Sequence, residues 1–243
     1  MRLLLAPDSF KGTFSAVEVA DALARGVERA GGEAGRCPVA DGGEGTMDTL
    51  LAALGGEKVV ERVRDPLGRE ISAAYARIGD LAVVEMAQAS GLALVAEDER
   101  DAWAASTYGT GQLLAAAAAA GAAEILVAVG GSATTDGGRG ALEAVGCGLG
   151  DVRITVLCDV ETPWERAAEV YGPQKGAGPE MVRRLTERLD AFAAELPRDP
   201  RGVPMTGAAG GLSGGLWAGL GAELVPGAPR VLDVVGFDRR LAA

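Results

Sequence analysis

Apolar residues recur along the chain with two different periods. Residues 2–6 are a short, almost unbroken apolar run and predict a buried strand. From Ser15 the period becomes helical, with Val17, Ala20, Leu23, Ala24 and Val27 on one face until Gly31 and Gly32 stop the pattern. A second strand is expected over 36–40, then the loop Asp41-Gly-Gly-Glu-Gly45, then a helix over 46–54 closed by Gly55 and Gly56. This repeated strand, loop, helix order predicts a parallel α/β layer. Residues 59–63, 72–78 and 81–86 read instead as an antiparallel meander, turned by Asp65-Pro-Leu-Gly68 and Gly79-Asp80. A domain boundary is placed near residue 60. Beyond it come an Ala-rich helix over 107–120, a strand over 124–129 and a Gly-rich loop over 130–138. A short helix over 140–145, a strand over 152–158 and a charged amphipathic helix over 179–196 follow. The Gly-rich stretch 207–221 reads as a close-packed helix, and 231–235 as a last strand.

Composition narrows the chemistry. Of 243 residues 48% are hydrophobic and 23% charged, the balance of a globular protein. The net charge is -11 and the basic residues do not cluster, which excludes a nucleic-acid binder. The absence of His removes imidazole bases, Ser-His-Asp triads and His-ligated metals. Cys37, Cys147 and Cys158 are odd in number and far apart, as expected of reduced thiols in a cytoplasmic protein. The uncharged stretches 102–123 and 202–222 are too rich in Ala and Gly to favour a membrane, and the apolar run after Arg2 is too short for a signal-peptide core.

Four loops concentrate glycine with acid, base or hydroxyl. The segment holding Asp8, Ser9 and Lys11 follows the first strand and precedes a helix, a place where α/β sheets bind ligands and helix N-termini attract anions. Lys11, Lys58 and Lys175 are the only lysines among 23 basic residues, and Lys11 and Lys175 sit beside glycines, where a compact ammonium suits phosphate. In the second loop Asp41 and Glu44, separated by Gly42 and Gly43, suit a metal or a hydroxyl-bearing substrate. In the third, Gly130, Gly131, Ser132, Thr134 and Thr135 can cradle phosphate, with Asp136 as a metal ligand. The fourth brings Asp159, at a strand end, together with Lys175. Gly210 and Gly211 either serve helix packing or face a nucleotide. Taken singly, each loop is equally an ordinary turn, cap or packing site.

Taken together, the segments APDSFKG (6–12), ADGGEGT (40–46), VGGSATTDGG (129–138), CDV (158–160), YGPQKGA (171–177) and GAAGGL (207–212) resemble the bacterial glycerate kinase family, the type unrelated to the classical sugar kinases. The resemblance spans most of the chain. It implies transfer of the ATP γ-phosphoryl group to a hydroxyl of D-glycerate, with Mg²⁺, and it favours the 2-hydroxyl. It also implies an α/β fold of two domains with the site between them. A discontinuous Rossmann-like domain with a parallel sheet would comprise 1–60 and 205–243, and an inserted flavodoxin-like domain 61–204. Asp8 would activate the hydroxyl, or Asp159 would if Asp8 binds metal. Lys11 would stabilise the transferring phosphoryl, and Ser9, Asp41, Gly42, Gly43 and Glu44 would engage substrate or Mg²⁺. Gly130, Gly131, Ser132, Thr134, Thr135, Lys175, Gly210 and Gly211 would hold the nucleotide phosphates, with Asp136 near the metal.

Three departures from the family pattern stand out. Thr135 replaces the usual Asn, the segment between Gly146 and Val152 is short, and the family pattern continues beyond 235–238. A shortened Rossmann-like domain would expose a sheet edge, which leaves a homodimer open. Two rival readings also remain. One is a non-catalytic remnant that binds a nucleotide or metabolite. The other is a flavodoxin-like electron carrier, disfavoured because only 4% of residues are aromatic and few could stack on a flavin.

Overall fold

The computed structural model, which describes residues 1–242, begins with a strand–helix–strand unit. Strand β1 (Arg2–Leu5) and strand β2 (Glu33–Arg36) pair in parallel, linked by helix α1 (Ala16–Arg29). Ser15 caps α1 reciprocally: its hydroxyl accepts from the Glu18 N–H, and its own N–H donates to the Glu18 carboxylate at 2.8 Å. The second strand lies earlier than the expected 36–40. Pairing with β1 uses 33–36, and beyond it Pro38 has no N–H to offer a ladder. Cys37 and Val39 still donate to Leu5 and Pro7, so the chain runs on beside β1.

Helix α2 (Thr46–Leu54) leads into a second sheet. Its strands are β3 (Glu57–Arg64), β4 (Glu70–Ile78), β5 (Leu81–Glu85), β6 (Glu124–Ala128), β7 (Arg153–Cys158) and β8 (Glu223–Pro226), in that spatial order. The meander β3, β4, β5 is antiparallel, and β5 to β8 are parallel. The helices between them are α3 (Ala87–Ser90), α4 (Tyr108–Ala119), α5 (Arg139–Val145), α6 (Ala167–Tyr171), α7 (Pro179–Ala193) and α8 (Leu212–Leu220). After β8 come α9 (Gly227–Val235) and α10 (Phe237–Ala242).

The central strands are apolar at most interior positions because helices cover both faces. Val84, Ile125, Val127 and Val156 pack against Leu113 and Leu114 of α4, Ala141 of α5, and Leu212 and Leu216 of α8. Their neighbours Val83, Leu126 and Leu157 point the other way, toward Met47 and Leu50 of α2 and Val231 and Val235 of α9. Leu4, Ala6, Cys37 and Ala40 join that second cluster, so the N-terminal unit packs on the α2 and α9 side.

Two expectations change here. Residues 231–235 are the end of α9 and not a strand. An isolated five-residue apolar run does not distinguish helix from strand, and Pro229 in the first turn favours helix. The strand in this region is β8, and it joins the large sheet beside β7. The segment from 205 to 226, expected with the N-terminal unit, therefore supplies α8 and β8 to the six-stranded sheet.

Helices α6 and α7 form a third cluster around Trp164. Trp164 is fully buried, and its indole N–H donates to the Leu189 carbonyl at 3.0 Å. A methyl group at Gly137 would strike the Trp164 ring, so the ring sets how closely the 130–138 loop approaches α7. Trp164→Ala is expected to destabilise the fold by about 3–5 kcal/mol, the usual cost of emptying an aromatic site, as read from urea unfolding midpoints.

Candidate active site

Strands β5 to β8 run parallel, so their carboxyl ends share one edge of the sheet, where open α/β sheets bind ligands. Several chain segments converge on that edge. The 129–138 loop leaves β6, Asp159 follows β7, and Gly227 follows β8. The 41–45 loop crosses over them on its way into α2. The crossing is close enough to require glycine. A side chain at Gly227 would run into the Asp41 carbonyl, one at Gly131 into the Glu44 carboxylate, and one at Gly130 would come within 2.7 Å of the Gly43 Cα. Gly42 has φ +95 and lies against Leu157, so it meets both a conformational and a steric demand.

Lys11 reaches the same place. Its Nζ lies 3.7 Å from Asp41 Oδ2, with the two side chains 73% and 34% exposed. So exposed a pair adds little stability, but it brings a mobile ammonium to the crossing. Asp41 Oδ1 accepts from the Gly43 N–H at 2.9 Å. Asp41, Cys158, Asp159, Glu161, Met205 and Gly227 line one depression of about 430 Å³. Among the described residues, no protein donor binds the Asp159 carboxylate. Burial, and then the charge of Asp159, push the Cys158 thiol up to about 12, so it stays protonated at neutral pH. Asp8 and Ser9 line a different, larger groove of about 830 Å³ with Phe10, Phe14 and Val19, which shares no lining residue with this depression. Asp8 Oδ1 accepts from the Ser9 N–H at 2.6 Å.

The 130–138 loop has an exposed limb and a buried one. Gly131 is exposed, whereas Ser132, Thr134 and Thr135 are buried. Ser132 is flanked by backbone bonds to the segment after α3: Leu92 N–H donates to the Gly131 carbonyl and Ala133 N–H to the Ser90 carbonyl. The hydroxyls of Thr134 and Thr135 have no hydrogen-bond partner. The surface expected to be lined by three hydroxyls is therefore formed by the glycine backbone.

Asp136, expected at a metal, is a structural hub. Its Oδ2 accepts from the Thr107 N–H, the Thr107 hydroxyl and the Gly140 N–H, and its Oδ1 from the Gly138 N–H. Both oxygens are thus committed to tying the loop to the starts of α4 and α5. Lys175, expected on phosphate, is 1% exposed and donates to the Thr134 carbonyl. Burial lowers its pKa to about 7 against the opposing pull of Asp136. Gly210 and Gly211, expected to face a nucleotide, are buried behind the loop. The Gly210 carbonyl accepts from Gly137, and a side chain at Gly211 would come within 2.9 Å of the Gly137 Cα.

Glu85 was not singled out in the sequence. It closes β5 in an otherwise apolar strand, is buried, and accepts from the Met47 N–H at 2.8 Å. An acid ending an apolar strand run was the available signal. Burial raises its pKa, and the bond from Met47 opposes that shift. Glu85 thereby anchors the start of α2, immediately after the crossing loop. Arg188 was also missed: its guanidinium donates to the Thr135 carbonyl at 2.7 Å and to the Trp103 carbonyl at 2.7 Å.

Glycine backbone, carboxylates and an exposed lysine at the ends of parallel strands make this edge the candidate ligand site of an α/β protein. Comparison with known proteins sharpens this. The model of the glycerate kinase family matches residues 3–153 and 147–243. A glycerate kinase of Halalkalibacterium halodurans is 41% identical over 276 residues, covering 97% of this chain and 73% of that protein. A glycerate 2-kinase of Escherichia coli is 36% identical over 282 residues, covering 99% of this chain and 74% of that protein. A solved structure named for glycerate kinase 2 of Salmonella typhimurium LT2 superimposes with a TM-score of 0.92 at 36% identity, covering all of this chain and 76% of that one. The chain belongs to the glycerate kinase family. Both sequence alignments are longer than the chain's 243 residues, so relatives carry segments absent here. The family match divides at 147–153, in the short connection between α5 and β7.

Two outcomes test this geometry. Asp136→Asn is expected to lower stability by about 2–4 kcal/mol, the scale of several charge-assisted bonds lost from one half-buried hub, as read from chemical unfolding. Glu85 carries a raised carboxyl pKa, so its contribution to stability is present at acid pH and is lost as pH rises through the folded value. Glu85→Gln should therefore gain in melting temperature relative to wild type as pH rises from about 5 to about 8.

Proposed function

We propose that the chain is an ATP-dependent kinase of D-glycerate with the 2-hydroxyl as acceptor. The observation that carries this reading is the convergence of Lys11, Asp41, Gly130, Gly131 and Asp159 on one edge of parallel strands. Phosphoryl transfer asks a protein mainly for positioning and charge neutralisation, which suits a chain without His. In this reading the exposed limb Gly130–Gly131 offers backbone N–H groups to phosphate oxygens, and Lys11 neutralises the transferring phosphoryl group. Asp159, free of protein donors, accepts the proton of the attacking hydroxyl, with Asp8 as the alternative base. Ser9, Gly42, Gly43 and Glu44 shape the acceptor side.

The oxygen ligands here fit Mg²⁺. Among the described residues no group of three or more acids or cysteines could hold a metal unaided. Mg²⁺ instead takes one or two carboxylates and completes its shell with phosphate oxygens and water. Asp41 is the residue that would hold it, joined by Asp159 from the same depression where Asp8 serves as the base. Bound there, the ion would supply charge neutralisation for the nucleotide phosphates.

No helix among the described residues is long and apolar enough to cross a membrane. Cys37, Cys147 and Cys158 are all free, which supports a reducing, cytoplasmic setting for the proposed enzyme.

The test is ADP release on adding ATP, Mg²⁺ and D-glycerate, with NMR to place the phosphate on the product. Turnover that depends on glycerate and yields 2-phosphoglycerate is expected. Lys11→Ala should lower kcat by about 100-fold or more, the scale of losing one charge-stabilising group, and leave the melting temperature unchanged because the side chain is exposed. Wild-type turnover in Lys11→Ala would remove Lys11 from the reaction.

A further inference from the structure

Lys175 and Arg188 bind consecutive backbone carbonyls of the same loop. Lys175 Nζ donates to the Thr134 carbonyl, and Arg188 donates to the Thr135 carbonyl at 2.7 Å. They come from different places, Lys175 from the turn after α6 and Arg188 from the middle of α7. Neither forms an ion pair with a carboxylate among the described residues. A buried ammonium without a carboxylate partner is costly, so its place here calls for a function.

We infer that Lys175 and Arg188 act together as positioning residues, clamping the buried limb of the 130–136 loop so that its exposed limb is held at the phosphate-binding edge. The inference rests on the reading of that edge as a kinase site. A trans peptide points its C=O and N–H in opposite directions. Fixing the carbonyls of Thr134 and Thr135 therefore also fixes the orientation of the Thr135 and Asp136 N–H groups. The clamp adds to bonds at the loop's other points. Leu92 and Ala133 stitch it to the segment after α3, Asp136 ties it to α4 and α5, and Gly137 donates to Gly210. Lys175 and Arg188 are the ties from the α6–α7 cluster. The exposed limb they secure lies against Gly43 and the Glu44 carboxylate.

The clamp also responds to pH. Burial lowers the Lys175 pKa to about 7. The groups around it are Asp136, which favours the ammonium, Tyr171 with its ring centroid 5.9 Å away, Arg100, which packs against Gly176, and Arg188 on the adjoining carbonyl. As pH rises through about 7 the ammonium loses its charge, and its hold on the Thr134 carbonyl weakens.

The experiment compares wild type, Lys175→Met, Arg188→Ala and Arg188→Lys in steady-state kinetics from pH 6 to about 8.5, with ATP binding followed by calorimetry. Lys175→Met should lower kcat/KM for ATP by about tenfold, the effect of a small misplacement of a binding group. The KM for D-glycerate should stay near wild type. The wild-type fall in kcat/KM for ATP above pH 7 should be absent in Lys175→Met. Arg188→Ala should show a smaller loss of the same kind, and Arg188→Lys should recover part of it. If Lys175→Met does not fold, the two Arg188 variants decide, because Arg188 is partly exposed on the α7 surface. Folded variants with wild-type kcat/KM and an unchanged pH limb would overturn the clamp while leaving the kinase reading intact. If the wild type binds ATP without turnover, the same comparison is read from ATP affinity. A wild type that neither binds ATP nor turns over would overturn both.

Discussion

The crossing of two glycine-bearing segments is the constraint on which the site depends. Gly43 and Glu44 lie on Gly130 and Gly131 so closely that no side chain fits between the backbones. Everything proposed for the site follows from this contact. It brings the acids of the 41–45 loop, carried by the N-terminal unit, to the edge where β6 and β7 end. It also places the glycine backbone, and not bulky side chains, where phosphate oxygens would approach.

The rest of the molecule holds that contact in place. Glu85 grips the start of α2 from below, and Leu157 and Gly227 support the Asp41–Gly42 turn from the side. On the other strand of the crossing, Asp136, Lys175 and Arg188 fix the 130–138 loop. The buried polar groups thus serve geometry, and exposed Lys11 and half-buried Asp41 are left for a ligand. Such a division suits phosphoryl transfer, in which placement contributes more than covalent chemistry.

Much of this was legible in the order of residues. The apolar runs that became β4, β5, β6 and β7 alternate between two buried faces, and a mostly apolar run bounded by turn residues reads correctly without knowing its partners. The glycine and acid loops were legible as well, because they fall just after strands. What escaped depended on contacts distant in sequence. Val231–Val235 is too short a run to declare its period, and the four residues of β8 end in Pro226. Thr134, Thr135 and Lys175 look like surface ligands in sequence. All three are buried, with Gly210 packed on Thr134 and Thr135, Lys175 bound to the Thr134 carbonyl and Arg188 of α7 to the Thr135 carbonyl. Asp136 reads equally as a metal ligand or as a hub, and only the donors around it decide.

Hydrogen exchange measured peptide by peptide, with and without ATP, Mg²⁺ and D-glycerate together, tests the convergence most directly. Ligands seated at the crossing should slow exchange simultaneously in segments 41–46, 129–133 and 158–161, which are far apart in sequence and joined only at this edge. Protection confined to one of those segments, or found elsewhere with all three unchanged, would contradict a shared site.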